Sequence, residues 1–327
     1  MHEFDLIAIG DTTLDIFLEI EDASINCELE RETCKLILNY ADKIPVKAMT
    51  RIPGAGNSAN NAVGSSRLGL KSAIYTIVGN DSTGLEIIQN FKNEHVGTDY
   101  IEIDSNHGTN HSTVINFQKE RTILVYHEPR TYDLPDLPAS KWVYYSSVAK
   151  SHASLHKQIP EYIEKTKAKL AFNPGTFQIL EGLTPEGELE IIKLSHIFFV
   201  NKEEAEHILG VTGEVTELIP QLLELGPNFV IVTDGPNGAY GGDGQKIYFQ
   251  KILDGEIVER TGAGDAFASA VICALNYGAS FPESLRWGTV NSGSVLKYVG
   301  PQKGLLTKDE LMAVLSQNLD LQPEEVK

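Results

Sequence analysis

Glu259-Arg260-Thr261-Gly262-Ala263-Gly264-Asp265 leads into Ala266 to Leu275, a run of small and apolar residues. Between Thr261 and Pro282 Asp265 is the only charged side chain. Glycine at 262 and 264 lets the backbone turn tightly and present bare amides, and the alanine-rich run predicts a helix beginning near Ala263. A helix this apolar has to be buried, so the pattern requires a large core and places one carboxylate in the first turn of a core helix. Capping alone would account for an acid at that position. The alternative is chemical: amides able to hold a phosphoryl group stand beside a carboxylate able to take a proton from an alcohol, a pairing suited to phosphoryl transfer. An acid at a helix N-terminus is expected to be a weak base.

The chain has 327 residues, enough for one α/β domain with insertions or for two domains, and no linker favours division. A net charge of −18 argues against a broad polyanion-binding surface, so nucleic acid is not an expected partner, while a local phosphate pocket stays open. Cys27, Cys34 and Cys273 are odd in number and form no metal-like cluster, which suggests buried, reduced cysteines and a cytoplasmic setting. Met1 to Asp5 does not read as a signal peptide, and no stretch approaches a membrane span, so a soluble protein is expected.

Phe4 to Gly10 is an apolar run ending at glycine and predicts a buried parallel strand, with Asp11 and Asp15 beyond its carboxyl end. Ligands of open α/β sheets gather there, so both acids are candidates for substrate hydroxyls, a turn role being the plainer reading of Asp11. Residues 16–52 break the alternation of strand and helix and contain Lys35 to Tyr40, which alternates like an exposed antiparallel strand. Gly54 to Val63 then offers glycines and amides ahead of a short helix ending at Gly69. A strand over Ser72 to Val78 and a helix to Asn93 precede a second departure, a hairpin of His111 to Phe117 and Arg121 to His127. The two departures together suggest a small β-lid over residues 16–52 and 111–127, with residues 1–15, 53–110 and 128–327 forming the core.

Strands are predicted over Trp142 to Ser147, Lys169 to Asn173, His196 to Val200 and Asn228 to Thr233, with helices over Ala153 to Thr166, Asn201 to Gly210, Pro282 to Tyr298 and Thr307 to Leu315. Asn201 and Glu204 have capping-box spacing, which by itself explains them. Thr233-Asp234-Gly235-Pro236-Asn237-Gly238 is a turn at a strand's carboxyl end, and Gln317 to Lys327 reads as a polar tail. The nine histidines show no metal-ligand spacing, and the hydrolase nucleophile and Gly-Lys phosphate-loop motifs are absent. After the first strand Gly10-Asp11-Thr12-Thr13 is not a dinucleotide fingerprint, which weakens a dehydrogenase reading.

These stretches, in this order, resemble the ribokinase-like (PfkB) family of carbohydrate and nucleoside kinases over nearly the whole chain. The resemblance implies a three-layer α/β sandwich with a mainly parallel central sheet and a small β-sheet lid. It implies ATP-dependent phosphorylation of a hydroxymethyl group on a sugar, or on a nucleoside in the alternative, with ATP and magnesium as cofactors. A non-catalytic sugar- or nucleotide-binding regulator is the rival from another class. By the same resemblance Asp265 is the catalytic base and Gly262, Ala263 and Gly264 form the anion hole. Asp15, Gly54, Gly56 and Asn60 contact the substrate, and Asp11 joins them as a candidate by its place beyond the first strand. Asn201 and Glu204 match an Asn-x-x-Glu motif tied to magnesium, Thr233, Gly235 and Gly238 a nucleotide turn, and Asn291 an adenine-side position. Glu259-Arg260 replaces the family's Asp-Thr, so activation by potassium is not expected, and Gly54-Ala55-Gly56 and Ser58 depart from the usual substrate stretch.

Both sides of the lid are expected to carry apolar groups. Ile115 and Phe117 share a face with Thr113, Ile123 and Val125 with His127, and Leu36 and Leu38 with Tyr40, while Val114, Leu124 and Ile37 fall on the opposite pleats. A small sheet of this kind is marginal alone, and a homodimer joined through the lids is expected.

Overall fold

The computed structural model describes residues 2–28, 33–118, 120–150, 152–175, 178–179 and 188–326. The tip of the expected hairpin, Lys119, lies outside them. In chain order the strands are β1 (Phe4–Ile9), β2 (Thr13–Ile20), β3 (Ser24–Glu28), β4 (Thr33–Ile37), β5 (Val46–Ala55), β6 (Ser72–Gly79), β7 (Ile101–Asp104), β8 (Asn110–Phe117), β9 (Glu120–Tyr126), β10 (Ser140–Tyr145), β11 (Lys169–Phe172), β12 (Ser195–Asn201), β13 (Phe229–Thr233), β14 (Ala239–Gly242), β15 (Ile247–Gln250) and β16 (Glu324–Glu325). The helices are α1 (Asn57–Arg67), α2 (Ser82–Asn93), α3 (Leu155–Thr166), α4 (Glu188–Leu194), α5 (Lys202–Leu209), α6 (Val215–Glu224), α7 (Ala263–Asn276), α8 (Phe281–Val295) and α9 (Lys308–Gln317).

Ten strands form one sheet in the order β7-β6-β1-β10-β11-β12-β13-β14-β15-β16. Pairing is parallel from β7 to β13 and antiparallel beyond it. The near-continuous apolar run of β1 is explained by burial on both sides. Leu6 and Ala8 pack in one apolar layer with Val63 of α1, Phe91 of α2 and Val271 of α7, whereas Ile7 and Ile9 pack in the other with Ile159 of α3 and Leu218 of α6. The result is the expected three-layer sandwich. Every residue of α7 from Asp265 to Ala274 is buried.

A separate four-stranded sheet has the order β5-β2-β8-β9. β2 begins at Thr13, so Asp15 stands on this smaller sheet although its sequence position groups it with the first core strand. The register pairs Ser112 with Val125 and Val114 with Ile123. Val114 is fully buried and faces inward with Ile123, which corrects the expectation that it lies on the outer side. Leu124, Tyr126 and Met49 are exposed. β3 and β4 pair only with each other, and β4 stops at Ile37, short of the expected end at Tyr40.

Two further expectations are corrected. Cys27 and Cys34 are not buried thiols: the β3–β4 register sets them opposite each other and a disulfide joins them, leaving Cys273 as the buried free thiol among the described residues. Counting cysteines could not show this, because the pairing depends on the hairpin register. The tail is not merely polar: Leu321 is buried, and Glu324–Glu325 extends the large sheet against β15. One leucine and a few backbone hydrogen bonds leave no periodic trace in the sequence. Among the described residues no helix is long and apolar enough to cross a membrane.

Candidate active site

Because β1, β11, β12 and β13 run in parallel, the residues at their carboxyl ends come to one edge of the sheet. Asp11, Asn173, Asn201 and Thr233 meet there and line a cavity of about 660 Å³. The start of α1 contributes Gly56 and Asn60, the start of α7 Gly262, Gly264 and Asp265, and the smaller sheet roofs the space with Asp15, Ser112, Ile123 and Val125.

At the floor Asn60 Nδ2 donates to Asp265 Oδ2 at 2.7 Å. Gln302 Nε2 in turn donates to Asn60 Oδ1 at 3.1 Å and to the Gly54 carbonyl at 2.7 Å, so the amide that orients the carboxylate is itself held. Gly262 caps α7 with φ 80°, and a Cβ there would run into Pro301. No side chain caps the helix, and among the described residues the Gly264 and Asp265 amides donate to no protein acceptor. They are available to an anion.

Burial pushes the Asp265 carboxyl up to about 7; the Asn60 hydrogen bond works in the other direction, and the Asp15 and Glu204 carboxylates add to the rise. The expectation of a weak base is therefore corrected: loss of solvation outweighs the helix N-terminus. Asp15 is likewise raised to about 6, chiefly by burial, against hydrogen bonds from Thr13 and Ser112.

The two strand-end acids differ. Asp15 keeps its place in the cavity and accepts from Thr13 Oγ1 at 2.6 Å. Asp11 also lines the cavity, but Tyr132 Oη donates to it at 2.8 Å, the Ala149 amide at 2.9 Å, and His127 Nδ1 stands 2.9 Å away. It is a tie between β1, the end of the lid hairpin and the loop after β10. Gly56, at φ 107°, lets the chain pass the Asp11 carbonyl, where a Cβ would stand 2.7 Å from that oxygen. Gly54 is not in the cavity wall; it faces Phe91 and serves through its carbonyl.

Asn201 and Glu204 do form a capping box: the Asn201 amide donates to Glu204 Oε2 at 2.9 Å and the Glu204 amide to Asn201 Oδ1 at 2.8 Å. The cap uses Oε2, and Glu204 also lines the cavity, so capping and ligand contact are compatible. Burial holds this carboxyl above its ordinary value. Beyond Asn201 and Gly264 the cavity meets a second one of about 410 Å³, lined by Thr233, Gly235, Gly238 and Ala263 and by apolar side chains such as Ile252 and Leu253. Asn291 is not in it: fully buried, it donates to the Ala266 carbonyl at 2.9 Å and ties α7 to α8. Its neighbours Thr289, Ser292 and Gly293 line the second cavity instead. A helix turns about 100° per residue, and a motif position alone does not say which neighbour faces the groove.

Sequence reasoning missed Gln302, Ser112, Asn173 and Arg121, which sit on the site without a local motif. It noted Glu259 only as a departure. That buried carboxylate accepts from the Thr261 amide at 2.8 Å, Thr261 Oγ1 at 2.6 Å and the Gly300 amide at 3.3 Å, fixing the turn ahead of α7.

Asp265→Asn keeps the shape and the Asn60 bond, so it should fold while lowering kcat by roughly 10²–10⁴-fold. The wild-type kcat/KM should rise with pH up to about 7 and then level. The folded chain keeps this proton to about pH 7 while the unfolded chain releases it near 4, so the native state loses stability as pH rises through that window. Thermal melting should accordingly show the Asn variant ahead of wild type at pH 8, the gap closing toward pH 4. Equal turnover, or a gap independent of pH, would refute the assignment.

The description "pfkB family carbohydrate kinase" fits residues 22–308. The ribokinase of Bacillus subtilis is 26% identical over 265 residues, covering 81% of this chain and 88% of that protein. An ATP-dependent 6-phosphofructokinase of Thermoanaerobacterium thermosaccharolyticum is 27% identical over 258 residues, 75% of this chain and 79% of that one. In fold, the chain is similar to Arabidopsis thaliana ribokinase complexed with ribose and ATP, with TM-score 0.77, 20% identity and coverage of 95% and 98%. It is also similar to a Burkholderia thailandensis nucleoside kinase in complex with inosine, with TM-score 0.76, 15% identity and coverage of 97% and 100%. Matched over residues 22–308, and with a buried carboxylate beside free helix amides and two adjoining cavities, the chain belongs to the pfkB family of carbohydrate kinases.

Proposed function

We propose that the chain transfers the γ-phosphoryl group of ATP to a hydroxymethyl group of a ribose- or fructose-like sugar. The observation that carries this is the position of Asp265, at the floor of a hydroxyl-lined cavity and beside the free Gly264 and Asp265 amides. The acceptor oxygen bonds to the γ-phosphorus as the bond from that phosphorus to the bridging oxygen breaks. ADP leaves with the electron pair, and the hydroxyl proton passes to Asp265. A base near 7 is suited to this, because a loose transition state releases the proton late. Asp15 accepts from acceptor hydroxyls, and the apolar second cavity takes the adenine.

Among the described residues no three His, Cys, Asp or Glu side chains gather as a metal cage. That fits magnesium, which is held largely by substrate phosphates and one or two carboxylates; Glu204 is the carboxylate placed to assist. When bound, the ion neutralises phosphate charge. A nucleoside acceptor is the second reading: the apolar wall of Ile123, Val125 and Phe199 in a cavity of about 660 Å³ suits a base as well as a sugar. We also read the exposed Leu124, Tyr126 and Met49 on the lid as the surface through which two copies pair.

A panel of sugars and nucleosides with ATP and magnesium, followed by ADP release, identifies the acceptor; no release with any of them would count against the reading. On the best acceptor Asp15→Ala should raise KM roughly 10–100-fold, since lost buried partners leave hydroxyls unpaired, and an unchanged KM would move the acceptor elsewhere. Glu204→Gln preserves the cap and should shift half-saturation to higher magnesium; if only the melting temperature moves, Glu204 is a cap and nothing more. Light scattering at micromolar concentration should find a dimer that Leu124→Glu dissociates, and a monomeric wild type would remove the lid interface.

A further inference from the structure

The pleat of β9 points Arg121, Ile123 and Val125 to the same side, into the cavity. Arg121 stands opposite Asn116 in the hairpin register, and its guanidinium has no hydrogen-bond or ion-pair partner among the described residues. Arg260, just ahead of the turn into α7, approaches the same strand from the core, with Nη1 3.7 Å from Glu120 Oε1. Both arginines line both cavities. So do Asn201, Thr233 and Gly264, which marks the place where the two spaces join. Among the described lining residues of either cavity, these are the only lysine or arginine side chains.

The surrounding charge is negative: Asp11, Asp15, Glu204 and Asp265 all line the larger cavity. Two like-charged donors at the junction, one unpaired, are therefore set where an anion must cross from the donor side to the acceptor side. A neutral sugar or nucleoside needs no guanidinium, whereas a phosphoryl group in transit carries charge on three equatorial oxygens that a planar fork of N–H donors matches. Taking the proposed ATP-dependent reaction as its basis, we propose that Arg121 is a catalytic residue supplied by the lid. It contacts the transferring phosphoryl group opposite the Gly264 and Asp265 amides. The lid then does more than cover the acceptor: it completes the charge stabilisation only when it lies over the junction, linking acceptor enclosure to transfer.

Arg121 is exposed on an edge strand, so Arg121→Ala should fold, which a melting curve verifies. On the best acceptor it should lower kcat roughly 10²–10³-fold, with acceptor KM within about threefold and partial recovery by added guanidinium ion. Calorimetry with magnesium should show about tenfold weaker binding of the β,γ-imido analogue of ATP and unchanged binding of ADP, because only the former presents a γ-phosphoryl group. Unchanged kcat, a loss confined to acceptor KM, or equal weakening of both nucleotides would overturn the role of Arg121. If the wild type binds neither nucleotide, the donor assignment itself fails and this proposal with it; binding that is identical in the variant removes Arg121 alone.

Discussion

A carboxylate sunk in the first turn of an apolar helix is the constraint around which this structure is arranged. Burying an ionised acid costs several kcal/mol unless it is bonded, and the usual relief is a rise in pKa. Asp265 has both: Asn60 donates to it, and its pKa stands at about 7. The bond is useful only if Asn60 cannot rotate away, which Gln302 prevents by spanning Asn60 and the Gly54 carbonyl. Three segments far apart in sequence are thereby joined by a relay of hydrogen bonds that ends on the Asp265 carboxylate. Glu259 does the same for the turn that precedes the helix, holding Thr261 and Gly300 together.

The two sheets divide the work. The large one is buried on both faces and brings the carboxyl ends of its parallel strands to one edge, which supplies the floor. The smaller one has a polar and apolar underside, with Asp15 and Ser112 next to Ile123 and Val125, and forms the roof. Charge is distributed across the site: Asp11, Asp15, Glu204 and Asp265 line the larger cavity, Glu120, Asp254 and Glu256 line the second beside Ile252 and Leu253, and two guanidinium groups stand where the cavities join. A chain of net charge −18 can hold a nucleotide phosphate only where such local donors and free amides outweigh the overall repulsion.

Much of this was legible before any coordinates. Buried parallel strands show as unbroken apolar runs, and helix starts show as glycine, asparagine or serine ahead of a periodic stretch. The family motifs brought Asp265, Asn60, Glu204 and Thr233 to notice in the right order. What escaped were features that rest on strand register and side-chain facing: the hairpin register that couples Cys27 to Cys34, the edge strand made by the tail, and the turn of Asn291 away from the groove and into the contact of α7 with α8.

The sequence by itself determined the alternation of strands and helices, the burial of the helix after Asp265, and the chemistry of an acid beside glycine amides, because those depend on local pattern and on backbone freedom. Only the tertiary structure decided how strong a base that acid is, since its pKa is set by burial and by Asn60, Asp15 and Glu204 across the cavity. It alone decided that Asp11, while lining the cavity, is tied to Tyr132, Ala149 and His127, that Asp15 joins it there from the smaller sheet, and that Arg121 reaches the junction of the two cavities. Solvent exclusion and side-chain facing are properties of packed surfaces, and a one-dimensional pattern specifies them only after the chain has folded.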